Sequence, residues 1–261
     1  MSKHSLEPSK IRRNTVRTSI SIAAIISATI FLYSIASSSS LPSLLLLSEF
    51  FYGKSSTYAF AQTQGGGGET NAALSLSNLI KQGSPYQGST SAPVTVIDFS
   101  DLQCSLCQRF TKSTEPQLNS TYIQTGKVAL VFKHLPNRGF DSTPAALAAQ
   151  CTQDQGKFWQ FQNLLYEKQG PIDSGWASKD NLKKLASQIP GLDTQKFNSC
   201  FDSQKYKSFV ESDLALAHSL GFTQTPSFTV VKSDGSNPQK IEGPQPFAAF
   251  KAVIDKELGG A

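Results

Sequence analysis

The pattern of apolar and polar positions predicts an α/β domain in the last two thirds of the chain. Residues 94–99 alternate and are rich in β-branched side chains, which is typical of a strand. Residues 128–132 are continuously apolar, as in a strand that is buried on both faces. Between them, residues 104–124 follow helical spacing, with a kink expected before Pro116. The pattern therefore predicts a β-α-β unit with parallel strands.

Helical periodicity then dominates residues 142–221, which predicts an all-helical insertion. After it, residues 228–231 and 239–242 flank an Asp-Gly pair, which is a β-hairpin signal. Apolar positions in residues 247–258 predict a last amphipathic helix. The expected order is β-α-β, helical insertion, β-β-α, with the insertion between the second and third core strands.

The first 61 residues do not have the sequence pattern of a globular domain, and we expect them to direct the chain to a membrane. Lys10, Arg12, Arg13 and Arg17 precede residues 20–36, which are apolar and nearly long enough to cross a bilayer as a helix. This charge pattern predicts an external location for the remainder of the chain. Ala59-Phe60-Ala61 resembles a signal-peptidase site, so a cleaved signal and a retained anchor both stay open.

Residues 62–82 contain four consecutive glycines among polar neighbours. This composition is typical of a flexible linker. We therefore expect the folded domain to span residues 83–261, with its first ordered residues between Ala73 and Gly83.

The net charge of +5 raises the question of nucleic-acid binding. Residues 1–61 hold six Lys and Arg against two Asp and Glu, whereas the remainder holds 18 against 17. Neutralising phosphates requires clustered cations, and the nearly neutral folded part offers none in its sequence. No nucleic-acid partner is expected.

Cys104 and Cys107 form a Cys-x-x-Cys motif directly after the first predicted strand and at the start of the first helix. Helix N-terminal N–H groups favour a thiolate, so Cys104 is the candidate nucleophile and Cys107 the resolving thiol. Such a pair transfers electrons without a cofactor. The alternative is half of a zinc site, which would require a second Cys-x-x-Cys pair that the sequence lacks, so no metal is expected.

Cys151 and Cys200 both lie in the predicted helical insertion. An external compartment permits stable disulfides, so we expect these two residues to form a structural disulfide. Two free buried thiols are the alternative. His134 and His218 could suggest acyl transfer beside a cysteine, but their expected positions, at a strand end before Pro136 and on a helix, do not support a catalytic role.

The element order, together with the Cys-x-x-Cys motif and a proline entering the third strand, resembles the thioredoxin fold. The helical insertion makes the chain similar to the DsbA-like thiol:disulfide oxidoreductases. The motifs that carry this resemblance are residues 92–94, 98–104, 126–128, 155–159, 220–228 and 242–246.

The resemblance implies roles for Pro226 and Asp98. Pro226 after Thr225 matches a cis proline that lies opposite the cysteines and contacts substrate; an ordinary turn proline is the alternative. Asp98, six residues before Cys104, matches a buried acid that could take a proton from Cys107; an exposed strand-end carboxylate is the alternative. Asp101 is expected to cap the helix that follows.

The resemblance also implies the function, an extracytoplasmic enzyme that introduces or exchanges disulfides in cysteine-containing secreted proteins. A membrane quinone-linked oxidoreductase would then recycle it. Alternatives are a disulfide reductase or isomerase on the same fold, and a redox-inert peptide-binding or chaperone domain. Ser105-Leu106 departs from the Pro-His pair of the most oxidising DsbA proteins, and because Leu106 brings no cation, a milder oxidant is expected.

Overall fold

The computed structural model describes residues 67–259, and its centre is a five-stranded sheet. The strand order is β1-β3-β2-β4-β5, with β2 and β3 parallel and the other pairs antiparallel. The strands are β1 (Tyr86–Gln87), β2 (Val94–Ser100), β3 (Val128–His134), β4 (Ser227–Lys232) and β5 (Gln239–Glu242). The α/β thioredoxin-like fold predicted from the sequence is confirmed; the short edge strand β1 was not predicted.

Ten α-helices surround the sheet in the described part of the chain. They are α1 (Gly67–Leu74), α2 (Leu76–Lys81), α3 (Ser105–Ser113), α4 (Glu115–Leu118), α5 (Ser142–Gln153), α6 (Phe158–Glu167), α7 (Lys179–Ala186), α8 (Thr194–Asp202), α9 (Lys207–Ser219) and α10 (Phe247–Glu257). The break between α3 and α4 comes just before Pro116, as expected, because proline has no N–H to donate. A π-helical turn at Asn119–Ile123 completes this connection.

Strands β2 and β3 are buried along their whole length, since helices cover both faces of the sheet. On one face Val94 and Val96 join a cluster with Phe110 of α3. The rings of Phe110 and Phe228 lie 4.5 Å apart between centroids, which fixes α3 against β4. On the other face Phe99 packs with Phe222, at 5.4 Å. This packing holds the N-terminus of α3 over the carboxyl end of β2.

The helical insertion runs from α5 to α9 and forms its own apolar cluster. Cys151 of α5 and Cys200 of α8 are joined by a disulfide, with their Cα atoms 5.8 Å apart. Phe132 of β3 and Cys107 of α3 belong to the same cluster. The insertion therefore packs directly against the elements that carry the Cys-x-x-Cys motif.

The expectation of a flexible linker over residues 62–82 is wrong for residues 67–81, which form α1 and α2. Leu74, Leu76 and Leu79 are buried in the cluster that contains Ile97, and the Leu76 N–H donates to the Ser233 carbonyl at 2.9 Å. The glycine-rich composition obscured these apolar positions. The ordered domain thus begins earlier than residue 73, and residues 62–66 lie outside the described residues.

The predicted membrane segment at residues 20–36 and the possible cleavage site at residues 59–61 also lie outside the described residues. Within residues 67–259, no helix is both long enough and apolar enough to cross a bilayer.

Candidate active site

Cys104 lies at the junction between β2 and α3. Its backbone is extended and its carbonyl accepts the first bond of α3, from the Gln108 N–H at 3.0 Å. Its own N–H donates to the Asp101 carbonyl at 3.0 Å. Cys104 is therefore the N-cap residue of the helix, where the helix dipole favours a negative charge on the sulfur. Asp101, which the sequence suggested as the cap, has a different set of partners.

The surroundings of Cys104 lower its pKa to about 5. The largest cause is the hydrogen bond from the Cys107 side chain, and burial opposes it. The Thr225 side chain, the Cys107 N–H and the positive charge of Arg138 lower the pKa further. At neutral pH the sulfur of Cys104 is therefore a thiolate, the form that reacts with disulfides.

Cys107 behaves in the opposite way. It is fully buried one turn into α3, and burial raises its pKa well above the usual value, helped by the neighbouring Cys104. A reduced pair therefore holds one thiolate, on Cys104, and one thiol, on Cys107. This asymmetry is suited to an exchange in which Cys104 is the attacked or leaving sulfur.

Access to the pair is narrow. Cys104 is 2% exposed and Cys107 is 0% exposed. A cavity of about 220 Å³ leads to it, lined by Cys104, Ser105, Leu106, Arg138 and Ile172. The large apolar side chains that are exposed among the described residues are Leu106, Ile172 and Phe140, and two of these three line the cavity.

Thr225 and Pro226 lie opposite the cysteines and are joined by a cis peptide bond. Strand β4 pairs antiparallel with β2, with Ser227 beside Phe99, so the start of β4 meets the end of β2. As a result, the Cys104 sulfur lies 3.4 Å from the Thr225 carbonyl oxygen, to which the protonated thiol can donate. The structure thus brings the two segments together as the resemblance implied.

Asp98 is buried in β2 on the face covered by α3, not exposed at a strand end. The Ser100 hydroxyl donates to its carboxylate at 2.5 Å. Burial is the largest cause that raises its pKa well above the usual value, and the charges of Glu115 and Cys104 add to it. Glu115 is a further, half-buried acid that the sequence did not single out, and burial raises its pKa to about 7.

Two more residues shape the site: Asp101, in a role other than the expected cap, and Arg138, which the sequence did not single out. The carboxylate of Asp101 accepts hydrogen bonds from the backbone N–H groups of Gln103, Asn137 and Arg138. It thereby ties the loop after β3 to the start of α3. Arg138 in that loop donates from Nε to the Thr225 hydroxyl at 3.1 Å and from Nη2 to the Thr225 carbonyl at 3.0 Å.

The sequence contained a pattern that could have identified Arg138 as a site residue. It follows β3, which is the parallel neighbour of β2, and the carboxyl ends of such strands meet at one edge of the sheet. A charged residue a few positions beyond that end is thus a candidate for the site. Whether the Arg138 side chain reaches the site depends on the register of β3 against β2, and the sequence does not show that register.

His134 does not take part in the cysteine site as a base. It is buried, its ring Nε2 lies 3.2 Å from Gln150 Oε1, and burial lowers its pKa to about 4. It packs edge-on to Phe132, with centroids 5.1 Å apart. His218 is exposed on α9. His134 therefore packs in the interior, whereas His218 lies on the surface.

The raised pKa of Asp98 predicts how a neutral replacement affects stability. A carboxyl whose pKa is higher in the folded state stabilises the fold below its unfolded pKa of about 4, and that contribution is lost as pH rises through the folded pKa. Asp98→Asn should therefore unfold at a higher temperature than the wild type, by an amount that grows from pH 5 to pH 8. Thermal unfolding followed by circular dichroism measures this.

The exposed Asp180→Asn provides the matched control for a surface carboxylate. A stability gain for Asp98→Asn that is the same at pH 5 and pH 8 would contradict the raised pKa of Asp98.

Comparison with known proteins agrees with this geometry. A family model described as thioredoxin matches residues 81–256. Disulfide bond formation protein D of Bacillus subtilis is 30% identical over 192 residues, which cover 73% of this chain and 83% of that protein. The crystal structure of oxidised BdbD from Bacillus subtilis superposes with a TM-score of 0.61 and 29% identity, covering 69% of this chain and 95% of that chain.

The crystal structure of α-DsbA1 from Wolbachia pipientis is also similar, with a TM-score of 0.58 and 27% identity, covering 67% of this chain and 91% of that chain. The family match extends over the strands, the Cys-x-x-Cys motif and the helical insertion. The chain therefore belongs to the thioredoxin family, in its DsbA-like branch of thiol:disulfide oxidoreductases.

Proposed function

We propose that this oxidoreductase is a disulfide donor, which passes a Cys104–Cys107 disulfide to pairs of cysteines in secreted proteins. The observation that carries the proposal is the asymmetry of the pair, with the pKa of Cys104 at about 5 and that of Cys107 raised. A stabilised thiolate favours the reduced form of the pair. A pair whose reduced form is favoured gives up its disulfide readily.

In the first step, a substrate thiolate attacks Sγ of Cys104. A bond forms between the substrate sulfur and Cys104, the Cys104–Cys107 bond breaks, and its electron pair goes to Cys107, which takes up a proton. A second substrate thiolate then attacks the substrate sulfur of this mixed disulfide, and Cys104 leaves as a thiolate. The substrate has lost two electrons and the protein has gained them. The low pKa of Cys104 makes it the better leaving group.

Asp98 is proposed to hold or transfer the proton that Cys107 exchanges. Its burial beneath the pair supports this role, and the charge of Asp98 in turn raises the pKa of Cys107. A buried carboxyl with a raised pKa can accept a proton near neutral pH.

Substrate is proposed to dock as an extended segment along Thr225 and Pro226. The Cys104 sulfur lies 3.4 Å from the Thr225 carbonyl, so a segment alongside this residue would bring its own sulfur to Cys104. Leu106 and Ile172 provide exposed apolar surface at the same cavity. Unfolded chains, which expose apolar side chains, fit such a surface.

The location and the recycling partner are also proposals. The basic and apolar pattern of residues 1–61 and the DsbA-like family favour action outside the cytoplasm, after a cleaved signal or on a retained anchor. By the same resemblance, a membrane quinone-linked oxidoreductase would reoxidise the reduced pair. Extracytoplasmic compartments permit stable disulfides, including Cys151–Cys200.

The direct test uses the oxidised full-length protein with reduced, unfolded ribonuclease at pH 7. A donor should oxidise ribonuclease thiols stoichiometrically within minutes, with two thiols lost for each protein molecule reduced. A reductase would instead accelerate insulin reduction by dithiothreitol and leave ribonuclease thiols intact, and that result would overturn the donor assignment.

A further inference from the structure

Arg138 is a cation beside the reactive sulfur that the steps above leave unused. It lines the same 220 Å³ cavity as Cys104. Among the ion pairs of residues 67–259, none joins Arg138 to a carboxylate. Its hydrogen bonds go to Thr225 instead. Its positive charge is therefore not neutralised by an adjacent acid.

The position of Arg138 is fixed by its surroundings. The Asp101 carboxylate accepts from the N–H groups of Asn137 at 2.7 Å and Arg138 at 2.8 Å. The Asn137 side chain donates to the Thr223 carbonyl at 3.0 Å and accepts from the Thr225 hydroxyl at 3.4 Å. These contacts hold the loop against the cis peptide. Because the loop already holds Arg138 in place, its charge can act on the Cys104 sulfur without a prior rearrangement.

The Thr225 carbonyl shows why a cation is useful here. At 3.4 Å from Cys104 Sγ, this oxygen suits a thiol, which can donate to it, but it repels a thiolate. Arg138 Nη2 donates to the same oxygen at 3.0 Å. Its charge therefore offsets the partial negative charge of the carbonyl when Cys104 loses its proton.

We propose that Arg138 is a positioning residue for the redox pair, which covers the Thr225 carbonyl and supplies the positive charge that the Ser105-Leu106 dipeptide lacks. In doing so it makes the Cys104–Cys107 disulfide a stronger oxidant. This inference rests on the proposed function, because it concerns the same pair of sulfurs.

A fixed cation affects the reduced and the oxidised form of the cysteine pair differently. The Cys104–Cys107 disulfide takes up two electrons and one proton and becomes a Cys104 thiolate and a Cys107 thiol; in glutathione buffer two glutathione thiols supply the electrons and become one disulfide. The reduced pair carries a negative charge at Cys104 and the oxidised pair does not. A fixed cation therefore stabilises the reduced form selectively.

The other titratable groups around Cys104 do not supply this charge. Cys107 on α3, Asp98 on β2 and Tyr166 on α6 interact electrostatically with it. Burial raises the pKa of each of the three, which disfavours a further negative charge beside the thiolate. None of them carries a positive charge in either protonation state. The lowering of the Cys104 pKa by Arg138 is consistent with the geometry.

The test compares Arg138→Gln, which keeps a hydrogen-bond donor but no charge, with Arg138→Lys, which keeps the charge. Arg109→Gln, which removes an exposed arginine from α3, is the matched control. Two quantities are measured on each full-length protein. They are the pKa of Cys104, from the rate of iodoacetamide alkylation against pH, and the equilibrium constant for oxidising glutathione.

Arg138→Gln should raise the pKa of Cys104 by about one unit, the lower end of the effect of an adjacent opposite charge. It should lower the equilibrium constant for oxidising glutathione about tenfold, which corresponds to about 30 mV. The two shifts must match, because both report the same stabilisation of the thiolate. Arg138→Lys should show a smaller shift in both quantities, and Arg109→Gln should behave as the wild type.

Unchanged values for Arg138→Gln would overturn the inference, as would equal shifts in Arg138→Gln and Arg138→Lys, which would indicate a role in loop packing instead of charge. Failure of the proposed function is distinguishable from both results. If the wild-type protein oxidised glutathione only weakly, with a potential near that of a reductase, the donor assignment would be wrong. The pKa of Cys104 from alkylation would still show whether Arg138 acts on Cys104.

Discussion

Cys107→Ser is expected to stop the reaction halfway and leave the protein covalently joined to its substrate. When this variant meets a protein disulfide, the Cys104 thiolate attacks one sulfur and releases the other as a thiolate. Because Cys107 is the buried thiol beside Cys104, its absence leaves the mixed disulfide without an internal attacker. The species should then persist for minutes to hours, the time scale of uncatalysed rearrangement. Non-reducing electrophoresis with scrambled ribonuclease measures it.

Two further variants sharpen this experiment. Cys104→Ser should form no mixed disulfide and reduce turnover to background, because it removes the attacking sulfur. Cys107→Ala should trap substrate more slowly than Cys107→Ser at pH 6, because serine can still donate a hydrogen bond to Cys104 and alanine cannot; this bond is the largest cause of the low Cys104 pKa. A mixed disulfide that forms on Cys107 in the Cys104→Ser protein would contradict the assigned roles.

Removal of the Cys151–Cys200 disulfide should have the largest effect on stability. The bond closes a loop with a sequence separation of 49 residues, and constraint of the unfolded chain over such a loop is worth about 4 kcal/mol in the chain-entropy description. The double variant Cys151→Ala/Cys200→Ala should therefore unfold roughly 8–16 °C lower than the wild type. Alanine suits both helices, so α5 and α8 should persist. Thermal unfolding in the absence of reductant measures the shift.

Cys104→Ser, which leaves this disulfide in place, is the control for that measurement. At 20 °C the double variant should still oxidise glutathione, because the Cys104–Cys107 pair keeps its own surroundings. An unfolding temperature within about 2 °C of the wild type would show that the disulfide does not stabilise the insertion as the loop-closure argument requires.

The sequence was sufficient for the features that depend on local pattern. Strand β2 and the start of α3 follow from alternation and spacing, so the position of Cys104 at their junction was predictable. The break before Pro116 follows from the chemistry of proline alone. Pro226 was identified through its motif, because β4 begins directly after it.

The features that depend on packing were not predictable in this way. The reach of Arg138 to Thr225 depends on the register of β3 against β2 and on the hold of Asp101 on the loop. The near-complete burial of Cys104 depends on how closely the cis-proline segment and the insertion approach α3. Likewise, α1 and α2 dock through Leu74, Leu76 and Leu79, which a glycine-rich neighbourhood obscured. In each case, residues distant in the chain decide the outcome.

The central claim is that Cys104 and Cys107 form a redox pair that donates its disulfide. The most direct measurement is the equilibrium reduction potential of the full-length protein in glutathione buffers at pH 7, with Cys151 and Cys200 left intact. We expect a value between about −120 and −180 mV, the range between DsbA and protein disulfide isomerase, because the surroundings of Cys104 stabilise its thiolate. A value near −270 mV, typical of thioredoxin, or no exchange with glutathione at all, would contradict it.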